Sequence, residues 1–372
     1  MRKMLPCVPL VLILFLFIAS PCAAAQEAPN PAFNAFACPK TLALCGERMP
    51  LENQDVFEML DREFTVLVWD HGRVFMLLKR AARYFPFIEK ALRDAGMPDD
   101  LKYLAVAESS LVPYARSSSG ALGPWQFITE TGQRKGLRKD QSVDERMALE
   151  RSTEAAILYL TQLKAMFGSW SLAMAAYNCG ENRVQKEITE QKVADYYRLN
   201  LPTETERYLY RIAAIKIIME NPRRYGYMLP EEHLYRPVKF DTVTVNISNP
   251  IHITDLAQAI GTDFKVIKEL NPELLGYYLP TGQYPIKVPA GSGRNALATL
   301  AQLNQGTPVA AQPNNNPSGA TSNPSRGVYV VQPGDTLTRI STITGVPVER
   351  LKALNGLPDS HLEVGQKLKL AP

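Results

Sequence analysis

The chain has 372 residues, 46% hydrophobic and 21% charged, an ordinary globular composition with length enough for two or three domains. Its 41 basic and 37 acidic residues nearly balance, and no basic tract or long charge run occurs, which argues against a nucleic-acid partner. The four histidines (His71, His233, His252 and His361) are scattered, none beside cysteine or carboxylate at ligand spacing, so neither a metal nor a cofactor is expected.

At the N-terminus, MRKMLPCVPLVLILFLFIASPCAAAQ has the order of a secretory signal peptide. Arg2 and Lys3 are followed by an apolar run from Val8 to Ala19 and by small residues at Ala23 to Ala25. A run of about a dozen residues falls short of the roughly 20 that cross a bilayer. Residues 1–25 are therefore expected to be removed on export, leaving a periplasmic or envelope protein that starts near Gln26. A lipidated Cys22 is the other outcome, but Pro21 before it is a poor fit to lipoprotein processing, and membrane association stays open. Without Arg2 and Lys3 the balance is 39 basic against 37 acidic residues. Within the extension 26–54, Cys38 and Cys45 lie close enough that an oxidising compartment would permit a bridge, which the sequence does not establish.

Residues 55–230 read as one helical domain. VFMLLKRAARYFPFIEKALRDAG spaces apolar residues by three and four and stops at Gly96 and Pro98. Further helices are expected from Asp99 to Ser109, Ser152 to Phe167, Ser171 to Tyr177 and Glu204 to Met219. After Pro230, VKFDTVTVNI alternates as a half-buried strand does; a helical stretch, ITDLAQAIGTDFKVIKELNPEL, and the strand-like YPIKVP follow, making a small module at 238–290. Residues 291–326 are rich in Gly, Ala, Asn, Gln, Pro and Ser and read as a flexible linker. The last block, 327–371, again runs strand, helix, helix, strand. KVIKELN, ending at Asn271, parallels ERLKALN, ending at Asn355, so the two C-terminal blocks read as an internal repeat.

Two clusters in the helical domain carry chemistry. In AESSLVPYARSSSGALGPWQF, Glu108 closes an apolar helix, where desolvation would raise its pKa toward that of a general acid working near neutrality. Gly120 and Gly123 would let backbone approach a ligand, and Trp125 would offer a flat face to a sugar ring. In AAYNCGE, Tyr177 and Asn178 precede the turn glycine Gly180. Singly each has an ordinary structural reading: a solvated helix-end carboxylate, a packed loop, a helix terminus.

In this order they resemble the soluble lytic transglycosylase catalytic domain over roughly residues 96–221. The resemblance rests on ESS at Glu108, S-x-x-GALGPWQF from Ser117, TETGQRKGL, DERMALERSTEAAILYL, AYNCG and LPTETERYL. The last block resembles a LysM domain through YVVQPGDTLTRIS, VPVERLKALNGL and VGQKLKL. The implied fold is a mainly α, lysozyme-like catalytic domain followed by small α+β LysM-type modules of βααβ order. The implied activity is cleavage of peptidoglycan strands by a carbon–oxygen lyase, with Glu108 as sole acid/base. Ser117, Gln126, Tyr177, Asn178 and Glu204 then match substrate-binding positions. In the last block Gly334, Asp335, Thr336, Leu357 and Pro358 match a glycan-binding site, whereas the 238–290 block lacks the signature and is assigned no binding residues. The implied partner is the glycan strand, and a monomer is expected. Glu204 keeps a two-carboxylate muramidase of goose-lysozyme type open, and a non-catalytic peptidoglycan-binding protein is the third alternative. Two positions depart from the family pattern: Pro124 stands where Leu or Ile is frequent, and Cys179 where Ala is common; a small buried thiol should be tolerated there.

Overall fold

The computed structural model describes residues 36–305 and, further on, 328–331, 335–344, 346–357, 359, 362–363 and 365–370. The expected signal peptide and most of the expected linker lie outside these residues. Among the described residues no helix is long and apolar enough to cross a membrane.

The helical domain begins with a two-residue hairpin, β1 (Ala43–Leu44) and β2 (Glu47–Arg48), turned at Cys45 and Gly46, both at positive φ. Cys38 and Cys45 are buried free thiols, so the bridge that the sequence left open is not made. Burial, with the charge of Asp61 adding to it, pushes the Cys38 thiol up to about 12. Eight helices follow: α1 (Gln54–Trp69), α2 (His71–Asp94), α3 (Lys102–Ser109), α4 (Thr129–Arg134), α5 (Leu149–Phe167), α6 (Trp170–Cys179), α7 (Glu181–Gln191) and α8 (Thr203–Glu220). Asn53 caps α1, and Asp70, between α1 and α2, accepts from the Arg73 backbone N–H. The four later helices expected from periodicity are present, with α5 and α6 each a few residues longer than their patterns.

The centre of the domain is α8. From Tyr208 to Ile218 it buries residues on nearly every side, as a helix apolar all round must, and it packs against α1, α3 and α6. The short helix α3 is buried at all five residues from Lys102 to Val106. Its C-terminus emerges from this buried run, and there Glu108 is half-buried.

The next module has strands β3 (Phe240–Ile247), β4 (Ile251–His252), β5 (Tyr278–Leu279) and β6 (Gly282–Pro289), with helices α9 (Ile253–Ala259) and α10 (Phe264–Leu270). Strands β3 and β6 pair antiparallel from Phe240↔Pro289 to Ile247↔Gly282. A further helix, α11 (Gly293–Asn304), packs on β3, burying Ala296 and Leu300 in the module's core. This corrects the reading of 291–326 as linker throughout. GRNALATLAQLN has apolar residues spaced for one helical face, and that spacing, not overall polarity, decides its first third.

The last block forms a separate compact unit with β7 (Val328–Val330), α12 (Leu337–Thr344), α13 (Val348–Asn355) and β8 (Lys367–Lys369), β7 and β8 being antiparallel. Both modules close with the same latch. Asn271 donates to the Ile267 and Lys287 carbonyls and accepts from the Lys287 N–H. Asn355 donates to Leu351 and Lys369 and accepts from the Lys369 N–H. An asparagine side chain that completes the last strand's hydrogen bonding explains why both matching stretches end in Asn.

Candidate active site

A cleft of about 860 Å³ opens between the end of α3, the segment 117–128, the α6–α7 junction and the start of α8. Glu108, Ser117, Gln126, Tyr177, Asn178 and Glu204, separated by nearly a hundred positions, all line it.

Glu108 is the penultimate residue of α3, and its carboxyl is ringed by protein where it meets the cleft. Burial raises its pKa from 4.5 to about 7; the Tyr208 hydroxyl, which donates to Oε1, and the positive Arg211 pull it down, and Glu204 pushes it up. A carboxyl at that value is protonated in a large fraction of molecules near neutrality, and once ionised it can take a proton back. The chain turns sharply after it: Ser110 and Leu111 both adopt left-handed backbone, φ 53° and 59°. For non-glycine residues this costs about 1–2 kcal/mol each, and strain of this kind concentrates at functional sites. The buried Ser109 hydroxyl donates to the Pro124 carbonyl at 2.7 Å, tying the end of α3 to the cleft floor.

That floor, residues 115–127, is a loop whose carbonyls are held by side chains. Gln126, at φ 50°, donates from Nε2 to the Ala115 and Gly123 carbonyls, which leaves its carbonyl oxygen as the group open to a ligand. The Tyr177 hydroxyl donates to the Trp125 carbonyl at 2.8 Å. Ser117 closes a turn, its Oγ accepting from the Ala121 N–H and lying 2.9 Å from Ser119 Oγ. Asn178 Oδ1 accepts from Thr205 Oγ1 at 2.8 Å and so joins α6 to α8. Cys179 is partly buried on the cleft wall, and burial raises its thiol pKa.

Two expectations fail here. Trp125 is fully buried and donates from Nε1 to Thr153 Oγ1 at 2.9 Å, so it is a core anchor beneath the floor and offers no face to a sugar. Gly123 is indeed a point of close approach, but to the protein itself: a Cβ there would lie 1.8 Å from the Arg146 carbonyl oxygen. Sequence shows that an aromatic and a glycine sit in the loop, not which side of the loop faces the core.

Two lining residues that act on Glu108 were missed. Tyr208 and Arg211 follow Glu204 by four and seven positions and share its helix face, turning α8 toward Glu108. That spacing within TETERYLYR was the available signal. Arg211 also lies 4.0 Å from Glu63, a buried carboxylate of α1 that Arg207 contacts at 2.7 Å. No group of three or more His, Cys, Asp or Glu that could hold a metal occurs among the described residues. In the last module, Asp335 accepts from the Tyr329 hydroxyl and Leu357 packs on the module's core. Thr336 begins the turn into α12 through its carbonyl, bonded to the Ile340 N–H; Gly334 and Pro358 lie outside the described residues.

Comparison with known proteins locates three domains. Residues 85–200 match the Transglycosylase SLT domain family, 329–371 the LysM domain family, and 241–305 the family described as lytic transglycosylase MltD, LysM-like domain. Membrane-bound lytic murein transglycosylase D of Escherichia coli K12 is 34% identical over 302 residues, covering 78% of this chain and 64% of that protein. This chain thus spans slightly under two thirds of that relative's length. Peptidoglycan transglycosylase gp16 of Escherichia phage T7 is 38% identical over 104 residues, 27% of this chain and 8% of that one. A solved structure of lytic transglycosylase Slt from Pseudomonas aeruginosa, an inactive mutant, aligns with TM-score 0.30 and 19% identity over 41% of this chain and 26% of that one.

Proposed function

We propose that this chain, an SLT transglycosylase domain followed by LysM-type modules, is a peptidoglycan lytic transglycosylase in which Glu108 performs both proton transfers. The carrying observation is the Glu108 carboxyl, raised by burial to about 7, in the cleft of the SLT domain. Protonated Glu108 gives its proton to the oxygen linking N-acetylmuramic acid to N-acetylglucosamine as the C1–O bond breaks. The carboxylate then takes the proton of the muramoyl 6-hydroxyl as that oxygen bonds to C1. A 1,6-anhydro end forms and no water is consumed, so the second carboxyl of ordinary glycosidases is not required. Arg211 and the Tyr208 hydroxyl support the ionised intermediate state of Glu108. Ser117, the Gln126 carbonyl oxygen and Asn178 offer hydrogen bonds along the cleft to the substrate's N-acetyl and hydroxyl groups.

Gly334, Asp335, Thr336, Leu357 and Pro358 of the last module bind N-acetylglucosamine-containing strands in this reading, holding substrate near the cleft by raising its local concentration. The signal-like N-terminus supports export to the cell envelope, and the membrane-bound designation of the E. coli relative makes attachment at Cys22 the alternative to a free periplasmic form. A hydrolytic muramidase is the second reading, favoured by one observation, the Glu204 carboxylate in the same cleft. Mass spectrometry of digested peptidoglycan separates the two: anhydromuramoyl ends support the transglycosylase, reducing ends the hydrolase, and no released fragments a binding protein.

A further inference from the structure

The cleft floor depends on a residue outside the cleft. Arg146 is 3% exposed, and its guanidinium reaches three places at once. Nε and Nη2 form a two-pronged pair with the buried Asp144 at 2.9 and 2.8 Å, while Nη1 donates to the carbonyls of Gly120 and Phe127, each at 3.1 Å. Those carbonyls bracket the stretch that carries Gln126, and Gly120 lies inside the turn that Ser117 closes. The Arg146 backbone is the surface on which Gly123 rests. A buried ion pair is often no more stabilising than apolar residues of the same volume. An apolar residue, however, could not bind two loop carbonyls.

Asp144 is in turn held from the neighbouring module. Its N–H donates to the Glu273 carbonyl at 2.8 Å, and the Leu275 N–H donates to the Ser142 carbonyl at 2.7 Å, making a short antiparallel bridge. Val143, between them, is 4% exposed and packs in the core of the 240–304 module with Leu274, and Lys287 of β6 pairs with Glu150 of α5. The backbone of 142–144 is thus an added piece of that module, while the Asp144 side chain orients the arginine beneath the cleft.

We propose that Arg146 is a positioning residue for the cleft floor and that the 240–304 module is its brace. A module of glycan-binding shape then serves the active site by fixing the 115–127 loop through Glu273, Asp144 and Arg146. This rests on the reading of the cleft as catalytic, and the test separates the two. In the full-length chain, Arg146→Lys keeps the charge opposite Asp144 but cannot span both carbonyls, and Leu274→Ala loosens the module's grip on Val143. Deuterium uptake, measured without substrate, should rise in 115–127 together with 140–147 in both variants. Turnover of Arg146→Lys on peptidoglycan should fall by about tenfold to a hundredfold with KM within about twofold, as expected when groups are misplaced rather than lost. Uptake that rises at 140–147 while 115–127 stays as in the wild type would overturn the proposal. So would Arg146→Lys turning over normally per folded molecule with only a lowered Tm. If Leu274→Ala unfolds its module, uptake in 115–127 should rise all the more, and uptake there that stays as in the wild type would overturn the brace. If the wild type yields no anhydro ends, the functional reading fails while the uptake result stands.

Discussion

The two walls of the cleft hold their carboxyls in opposite surroundings. Glu108 sits at the C-terminal end of a buried helix, where desolvation and the negative end of the helix dipole both oppose its charge. Glu204 sits exposed in the first turn of α8, open to solvent. One residue type in one cleft thereby meets two environments, one desolvated and one open to solvent. Placement within a helix, more than identity, decides which.

The sharpest way to break that contrast is Glu108→Gln, which should lower fragment release by about a thousandfold or more, given what a general acid contributes, with the fold intact. Stability carries a sign that checks the raised pKa. Because the folded value (about 7) lies above the ordinary 4.5, ionisation of Glu108 destabilises the native state, and its contribution is lost as pH rises from 4.5 through 7. Glu108→Gln should therefore raise Tm above pH 7 and leave it unchanged below 4.5, measured by thermal unfolding across pH. A variant with no such pH dependence would mean that Glu108 is not desolvated.

Next in size is Gly123→Ala, which puts a methyl group 1.8 Å from the Arg146 carbonyl at φ +89°. Backbone must move, so a loss of about 3 kcal/mol in denaturant unfolding is expected, with activity lost beyond the stability deficit. Smaller effects distinguish the walls. Tyr208→Phe removes the hydroxyl that favours ionised Glu108, so turnover should fall about tenfold and the alkaline limb of the pH–rate profile should move to higher pH. Glu204→Gln removes the charge that opposes ionisation, so the same limb should move to lower pH, with turnover down by less than about tenfold and anhydro ends unchanged. Equal losses from Glu108→Gln and Glu204→Gln, with reducing ends in the wild type, would instead establish the two-carboxylate mechanism.

Glu108 was legible because an apolar run before a lone acid is itself a statement about solvation. Ser117, Gln126, Tyr177 and Asn178 were legible from ordered motifs, and the matching asparagines at 271 and 355 from repeat spacing. Trp125 was misread because its indole points inward to Thr153, a choice made by the packing of α5 under the loop. Arg146 lies within DERMALERSTEAAILYL, one of the matching stretches, but nothing in that stretch marks it; only the folded chain brings Gly120 and Phe127 to the two sides of its guanidinium. The helix at 293–304 was hidden by composition, since its apolar face matters only once β3 is there to cover it.

By itself, then, the sequence determined the helical character of 55–230, the βααβ repeats and the candidate acid, because periodicity and local apolar content are properties of neighbouring residues. The tertiary structure alone decided which side chains meet. The Tyr208 hydroxyl on Glu108, the buried face of Trp125 and the brace from Glu273 through Asp144 to Arg146 all join residues far apart in the chain. Their energies come from desolvation and hydrogen-bond geometry, which exist only after the chain has packed.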